Sequence, residues 1–255
     1  MTQLAGKVAL ITGGAGDIGR TTAQRFIEQG ASVVLVGRSE ERLQQAAASI
    51  GSDSCHYYAA DISNDEQMRA CVEFVLQTCQ RLDIVLSNAG ISGPMAPVED
   101  YSTADFEDIM RINVTGTFIT LKHTMAILKA NPDGGSVIIT SSGAGLFGLA
   151  NLSGYVTSKH ALTGLMRSTA LEGADHAVRV NLIAPGPVKS SMTDAIGADF
   201  GMTPDEYEKL ISETIPMGRY ASLEEVADMM QFLASDASRY CTGCVFPLDG
   251  GKAMH

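Results

Sequence analysis

The sequence predicts an α/β protein with a doubly wound parallel sheet of about seven strands and helices on both faces. Short β-branched runs alternate with longer amphipathic stretches along the chain, and several runs are apolar on both faces, as buried parallel strands are. The predicted strands are residues 8–11, 32–36, 56–59, 84–86, 137–140, 178–183 and 244–248. The predicted helices lie near residues 18–29, 40–50, 65–80, 103–130, 154–173 and 222–234.

One segment interrupts this alternation. Residues 190–216 follow a strand as a long connection rich in Met and small residues, with a short helix expected from about Pro204. Long connections at the C-terminal edge of such a sheet are typical of lids and substrate loops, although a plain surface excursion is the alternative. We therefore expect one catalytic domain over residues 1–255, with a substrate lid at about 190–216.

The composition narrows the possible partners. A formal net charge of −11 disfavours binding to nucleic acid or to acidic membrane surfaces. No apolar run approaches the ~18 residues of a membrane span, and the first residues lack a signal-peptide pattern, so we expect a cytoplasmic protein. The odd number of cysteines fits a reducing compartment. Cys241 and Cys244 have no evident further ligands for zinc, so we expect no metal site.

A glycine-rich turn follows the first strand. The segment 12–19 reads TGGAGDIG and leads into a helix. Glycines let the backbone approach a pyrophosphate, and the free N–H groups of a helix start bind the anion, as in Rossmann-like folds. We predict dinucleotide contacts at Gly13, Ile18 and Gly19. Asp17 is interpreted as the N-cap of the helix, with a hydrogen bond to a cofactor hydroxyl as the alternative.

The end of the second strand bears on the choice of dinucleotide. An acidic residue at this place binds the adenosine ribose hydroxyls of NAD and repels the additional phosphate of NADP. This chain has Gly37 there, followed by Arg38, whose guanidinium can hold a phosphate. The sequence therefore favours NADP, with NAD as the alternative if Arg38 is only a solvated surface charge.

A tyrosine and a lysine lie four residues apart at the start of a helical stretch. Tyr155 and Lys159 share one helix face. A free tyrosine has a pKa of ~10, and a neighbouring ammonium lowers it. Ser142 follows the strand at 137–140 and should face the ligand crevice, whereas strand alternation should turn Ser141 away. We predict Tyr155 as the proton donor or acceptor.

These motifs together resemble the short-chain dehydrogenase/reductase family. The turn at 12–19 is similar to that family's T-G-x-x-x-G-x-G, except that Asp17 stands where the middle glycine is expected, and Tyr155 and Lys159 match its Y-x-x-x-K. The resemblance covers nearly the whole chain. It implies the catalytic set Asn113, Ser142, Tyr155 and Lys159, in which Asn113 supports a water that reaches the lysine. From the residues alone, Asn113 is a poor helix former that could simply satisfy the backbone.

The resemblance also implies where the dinucleotide and substrate bind. Asp61 would contact the adenine edge and Ile62 would pack on the ring. The remaining implied dinucleotide contacts are Asn88, Ala89 and Gly90 near the adenosine ribose, and Tyr155, Lys159, Pro185, Gly186, Val188 and Ser190 near the nicotinamide. The expected substrate contacts are Ser142, Gly143, Leu152, Tyr155, Pro187 and Met192.

The activity implied by this resemblance is hydride transfer between NAD(P)(H) and a ketone or secondary alcohol. The mostly apolar walls favour a neutral small molecule. One alternative is a 3-oxoacyl thioester reductase, although an acidic enzyme would repel an acidic carrier protein. Another is a non-catalytic dinucleotide-binding regulator, but such proteins tend to lose the tyrosine or the lysine. A third alternative is a nucleotide-sugar epimerase or dehydratase, but such enzymes form a longer family with a different glycine spacing and a C-terminal sugar-nucleotide domain. The usual assembly of the resembled family is a homotetramer.

Overall fold

The computed structural model describes residues 2–254 and contains a seven-stranded sheet in the order β3-β2-β1-β4-β5-β6-β7. Every neighbouring pair is parallel, which confirms the predicted doubly wound sheet. The strands are β1 (Val8–Thr12), β2 (Ser32–Gly37), β3 (Cys55–Ala59), β4 (Ile84–Ser87), β5 (Gly135–Thr140), β6 (Val178–Pro185) and β7 (Val245–Leu248).

Helices cover both faces of the sheet. They are α1 (Asp17–Glu28), α2 (Glu40–Ile50), α3 (Asp65–Cys79), α4 (Thr103–Met110), α5 (Gly116–Ala130), α6 (Ser153–Ala174), α7 (Ser191–Asp199), α8 (Pro204–Ser212) and α9 (Leu223–Ala234). Side chains alternate between two cores. Val8 and Leu10 of β1 pack in the core that contains α3, α5 and α6, whereas Ala9 and Ile11 pack in the core that contains α1, α2 and α9.

Two predicted helical regions differ from the structure. The helix expected at 103–130 is α4 and α5 joined by one π-helical turn, Arg111–Thr115. The predicted lid contains two helices instead of one, because α7 precedes the expected helix at Pro204. The signal for α7 was a capping box, in which Ser190 and Thr193 bond reciprocally.

The chain reverses its winding direction between β1 and β4, which neighbour each other at the centre of the sheet. Loops that leave the carboxyl ends of these strands diverge and open a crevice, where ligands of such folds bind. Within residues 2–254, no helix is both long enough and apolar enough to cross a membrane.

A buried carboxylate fixes the opposite, amino-terminal edge of the sheet. Asp83 accepts a hydrogen bond from the Val8 amide at 2.9 Å and from the Arg81 Nε at 2.8 Å. Only 2% of Asp83 is exposed. The carboxylate therefore satisfies the first amide of β1 and a guanidinium at once.

Replacement of this carboxylate should destabilise the fold. Asp83→Ala leaves the Val8 amide without its partner, so we expect the free energy of unfolding to fall by about 2–4 kcal/mol. Asp133→Ala, which removes an exposed carboxylate, is the control and should change stability by less than about 0.5 kcal/mol. Urea denaturation of both variants measures the difference, and equal stabilities would contradict this role of Asp83.

Candidate active site

A cleft of about 520 Å³ lies at the carboxyl edge of the sheet. It collects predicted site residues from separate turns of the chain. Those that line it are Gly13, Asp17, Ile18, Arg38, Asp61, Ile62, Asn88, Ala89, Gly90, Ser142, Tyr155, Lys159, Pro185, Gly186, Val188, Ser190 and Met192. The topology thus brings the glycine-rich turn and the Tyr155–Lys159 pair to one cavity.

The glycine-rich turn packs tightly against the end of β4. Gly13 has φ +66°, and a Cβ there would lie 3.0 Å from the Cα of Ala89. A Cβ on Gly19 would collide with the carbonyl oxygen of Gly13, so Gly19 supports the turn and is absent from the cleft lining. The Thr12 hydroxyl accepts hydrogen bonds from the amides of Asn88 and Ala89 at 2.9 and 3.1 Å, which joins the ends of β1 and β4.

The start of α1 is free to bind an anion. Its N-cap is Gly16, and no side chain caps the helix. Side chains do cap α2, α3, α4, α7, α8 and α9. The first backbone N–H groups of a helix have no intrahelical partners and carry the positive end of its dipole. Because Gly16 and Ile18 line the cleft, this helix start fits a pyrophosphate.

The predicted N-cap role of Asp17 is wrong. Asp17 is the first residue of α1, and its carboxylate accepts hydrogen bonds from the Ser191 amide at 2.8 Å and the Ser191 hydroxyl at 2.7 Å. Ser191 is 174 residues away, so local sequence could not reveal this contact. Burial alone would raise the pKa of Asp17, but the Ser191 hydrogen bonds and the charges of Arg20 and Arg42 hold it below its usual value.

Ser142, Tyr155 and Lys159 converge at the other end of the cleft. The Ser142 hydroxyl accepts from the Ala144 amide at 3.2 Å and lies close enough to the Tyr155 phenol to lower its pKa. The Lys159 Nζ lies 5.6 Å from the centroid of the Tyr155 ring and donates to the Thr140 carbonyl at 3.0 Å. The Ser141 hydroxyl donates to the Lys159 carbonyl at 3.0 Å, but Ser141 also lines the cleft, so the prediction that it turns away from the crevice is not confirmed.

Burial dominates the pKa values of this pair. It raises the pKa of the Tyr155 phenol, and the Ser142 hydrogen bond opposes the rise only in part. Burial also lowers the pKa of Lys159 to about 8. The expected lowering of the Tyr155 pKa by Lys159 is therefore not found in this structure, because desolvation of the phenolate outweighs an ammonium at that distance.

Asn113 lies directly beneath this pair. Its Oδ1 accepts from the Ile91 amide at 2.9 Å, and its Nδ2 donates to the Ile91 carbonyl at 2.9 Å and the Ser158 hydroxyl at 3.0 Å. Ser158 in turn donates to the carbonyl of Tyr155 at 2.8 Å. The π turn places Asn113 between these segments, and such turns are frequent at functional sites. The structure thus favours the backbone-satisfying interpretation, and the implied water stays a prediction.

One carboxylate oxygen of Asp61 is occupied by hydrogen bonds within its own turn. Its Oδ1 accepts from the amide and the hydroxyl of Ser63 at 2.9 and 2.7 Å. Burial would raise the pKa of Asp61, but these hydrogen bonds and the nearby charges of Arg111 and Arg38 lower it. Ile62 is buried and packs against Gly116, where a Cβ would lie only 2.6 Å from the Ile62 Cδ1.

Three of the predicted substrate contacts do not line the cleft. Gly143 is buried against Phe147, and Leu152 is the N-cap residue of α6. Pro187 lines a separate cavity of about 390 Å³, because its carbonyl pairs with the Ala221 amide and fixes that segment behind the site. None of these three lines the cleft of about 520 Å³, and their contact with a substrate stays a prediction.

Several lining residues were missed by sequence reasoning. They include Ser39, Arg42, Ile91, Thr140, Ser141, Ser191 and Thr193. Arg42 carried a usable signal, because it lies in the first turn of α2, whose N-cap Ser39 directly follows Arg38. The Thr140 hydroxyl is buried with no hydrogen-bond partner, and a buried donor of this kind calls for a ligand or water.

Comparison with known proteins identifies the family. Residues 13–253 match a family model described as enoyl-(acyl carrier protein) reductase. A (+)-cis,cis-nepetalactol synthase from Nepeta racemosa is 34% identical, with 98% of this chain and 92% of the relative covered. Levodione reductase from Leifsonia aquatica is 33% identical, with 99% of this chain and 96% of the relative covered. A crystal structure of levodione reductase has a TM-score of 0.94 at 32% identity, and covers 98% of this chain and 99% of that chain.

A solved structure with cofactor is equally similar. NAD+-bound xylitol dehydrogenase has a TM-score of 0.92 and 32% identity, and the match covers 98% of this chain and 100% of that chain. The sequence motifs, the sheet order and these matches agree over nearly the full length of the chain. The chain belongs to the short-chain dehydrogenase/reductase family.

The buried ammonium of Lys159 gives a stability test. The folded protein releases this proton near pH 8 and the unfolded chain near 10.5, so the ammonium destabilises the fold fully below pH 8 and the penalty disappears as the pH rises towards 10.5. Lys159→Met should therefore raise the free energy of unfolding at pH 7 by about 2–3 kcal/mol. The advantage of the variant should shrink between pH 8 and 10.5 in denaturation curves, and a constant difference would count against this burial penalty.

Proposed function

We propose that this protein catalyses hydride transfer between a nicotinamide dinucleotide and a ketone or secondary alcohol. The observation that supports it is the convergence of Ser142, Tyr155 and Lys159 in the cleft that also contains the uncapped start of α1. One end of this cleft suits a pyrophosphate and the other suits a carbonyl oxygen. This combination meets the chemical needs of an NAD(P)-dependent oxidoreductase.

The residues of the cleft fit the dinucleotide along its length. The start of α1 would hold the pyrophosphate, and Asp61, Ile62, Asn88, Ala89 and Gly90 would contact the adenosine half. Pro185, Gly186, Val188, Ser190, Tyr155 and Lys159 would contact the nicotinamide half. When bound, the dinucleotide supplies or accepts the hydride. The buried Thr140 hydroxyl, which has no partner among the described residues, offers a further polar contact on this path.

The chain's own residues manage the charge on the substrate oxygen. Ser142 and Tyr155 donate hydrogen bonds to it and stabilise the negative charge that develops during reduction. The raised pKa of Tyr155 keeps the phenol protonated near neutral pH, so it can donate its proton to the alkoxide. Lys159 stays beside the phenol through its bond to the Thr140 carbonyl, and in the oxidative direction Tyr155 takes the proton back.

The substrate is proposed to be neutral and apolar. Met192 is exposed and lines the cleft, while Met95, Leu149 and Phe200 are exposed on the loops that follow β4 and β5 and on the lid. One relative is a levodione reductase, and the name of its substrate denotes a diketone, which supports a neutral ketone as the substrate. The net charge of −11 disfavours an acidic carrier protein, so a carrier-bound thioester is the second choice. Intact Tyr155 and Lys159 argue against a regulator without turnover.

The preferred cofactor is proposed to be NADP. Arg38 and Arg42 both line the cleft beside Ser39, and two guanidinium groups there suit the additional phosphate of the adenosine ribose. The carboxylate of Asp17 is held by Ser191 and does not oppose a phosphate freely. NAD is the alternative, supported by the xylitol dehydrogenase structure, which contains NAD+.

The family's usual homotetramer is the proposed assembly. Phe118 on α5 and Leu171 on α6 are exposed apolar side chains, with 51% and 81% of their surfaces accessible, which supports burial between subunits.

The sheet and its helices are proposed to form one catalytic domain with the lid at 190–216. The free thiols at positions 55, 71, 79, 241 and 244 support a reducing compartment such as the cytoplasm.

Removal of the phenolic hydroxyl tests the proposed chemistry. Tyr155→Phe should reduce turnover of ketones by at least about 100-fold, because the substrate oxygen loses its proton donor. Cofactor affinity should change by less than about threefold. Turnover is followed by NAD(P)H absorbance with a panel of cyclic ketones, sugars and acyl thioesters, and affinity by fluorescence titration. Tyr240→Phe, which alters a fully exposed tyrosine, is the control. Near-normal turnover of the Tyr155 variant would refute its role.

The two arginines provide the test of cofactor choice. Arg38→Ala and Arg42→Ala should each weaken NADPH binding about 10-fold or more and NADH binding by less than about threefold, because only NADPH carries the additional phosphate. Arg69→Ala on α3 is the control, since Arg69 does not line the cleft. Isothermal titration with both cofactors measures the ratio. Tighter binding of NADH than NADPH by the parent protein would overturn the preference for NADP.

A further inference from the structure

The carboxylate of Asp17 connects the two sides of the dinucleotide cleft. Asp17 begins α1 directly after the glycine-rich turn, and Ser191 begins α7 at the start of the lid. Both residues line the cleft, and one carboxylate oxygen accepts from both the amide and the hydroxyl of Ser191. This contact, called the Asp17–Ser191 bridge below, joins parts of the chain that no backbone connection holds together.

Nearby positive charge stabilises the ionised carboxylate of the bridge. The carboxylate lies at the positive ends of two helices, α1 and α7, where a negative charge is favoured. Arg20 and Arg42 further stabilise the ionised form, so its pKa stays below the usual value and the acceptor keeps its charge near neutrality. The bond from the Ser191 amide also satisfies a backbone donor of α7 that no residue within this helix can reach.

The residue that forms the bridge departs from the family's motif. Asp17 stands where the family's turn has a glycine, which has no side chain to extend across the cleft. Ser190, Met192 and Thr193 flank Ser191 and line the lid side of the same cavity. A ligand that lies against the start of α1 is therefore covered by a lid segment that the bridge holds in place.

We propose that Asp17 is a positioning residue that fastens the lid to the glycine-rich turn and slows release of the bound dinucleotide. This inference rests on the proposed function, since it assumes that the dinucleotide occupies this cleft. Release requires the lid start to move away from the turn, and the two hydrogen bonds of the bridge break in that movement.

The variants are chosen to remove the bridge from either side. Asp17→Ala deletes the acceptor. Ser191→Pro deletes both donors and should preserve α7, because proline suits the first position of a helix and Ser190 already has the extended backbone, φ −155° and ψ 160°, that precedes proline. The double variant completes a cycle. Asp194→Ala, which removes another acidic residue from the first turn of α7, is the matched control.

The principal measurement is the dissociation rate of NADPH, and separately of NADH, followed by stopped-flow fluorescence. Each single variant should release the cofactor about 5- to 20-fold faster, and the double variant should be no faster than the singles. A second readout uses the protein without cofactor: amide hydrogen exchange over residues 190–199 should accelerate in both single variants, while the melting temperature falls by less than about 3 °C.

Three results would overturn the inference. Parental release rates in both variants would show that the bridge does not limit release. Faster release in Asp17→Ala alone would show that Asp17 acts on the ligand directly, and additive effects in the double variant would show independent action. If the parent binds neither NADPH nor NADH, the proposed function itself fails, and the inference fails with it. Binding with unchanged release kinetics refutes the inference alone.

Discussion

The amide of Asn113 makes three hydrogen bonds on which the arrangement of the active site depends. They connect the loop after β4, through the backbone N–H and carbonyl of Ile91, to the second turn of α6, through Ser158. Ser158 also bonds the carbonyl of Tyr155, so the position of the phenol follows from the same network. Asn113 lies in the single π turn at Arg111–Thr115. This turn changes the direction of its side chain from that in a regular α-helix, and the side chain reaches both Ile91 and Ser158.

Beside this network, the site buries an ammonium and partly shields a phenol from water, at some cost to stability. Lys159 is 5% exposed, and its bond to the Thr140 carbonyl offsets only part of the desolvation. The same desolvation lowers the pKa of Lys159 towards neutrality and raises that of Tyr155, so the phenol stays protonated. Desolvation at this end of the cleft thus affects both the stability of the fold and the protonation of its reactive groups.

Sequence reasoning recovered the parts of this design that are local or periodic. Short β-branched or apolar runs predicted the strands β1 to β7, and the spacing of Tyr155 and Lys159 predicted that they share one helix face. It missed contacts between distant segments, such as Asp17 with Ser191, because no periodicity encodes which loop ends lie opposite each other. For the same reason, the pairing of Pro187 with Ala221 and its place in a second cavity could not be foreseen. The effect of Lys159 on the Tyr155 pKa was misjudged because burial is a property of the folded whole.

The two helices of the lid bury far fewer residues than the helices that pack on the sheet. None of the residues of α8 is fully buried, and α7 buries only Gly197, whereas α6 buries residues along its whole length. A segment with so little buried surface opens by local unfolding at a small free-energy cost, while the sheet stays intact. Movement of this segment would break none of the hydrogen bonds that Asn113 and Ser158 make, because no lid residue takes part in them.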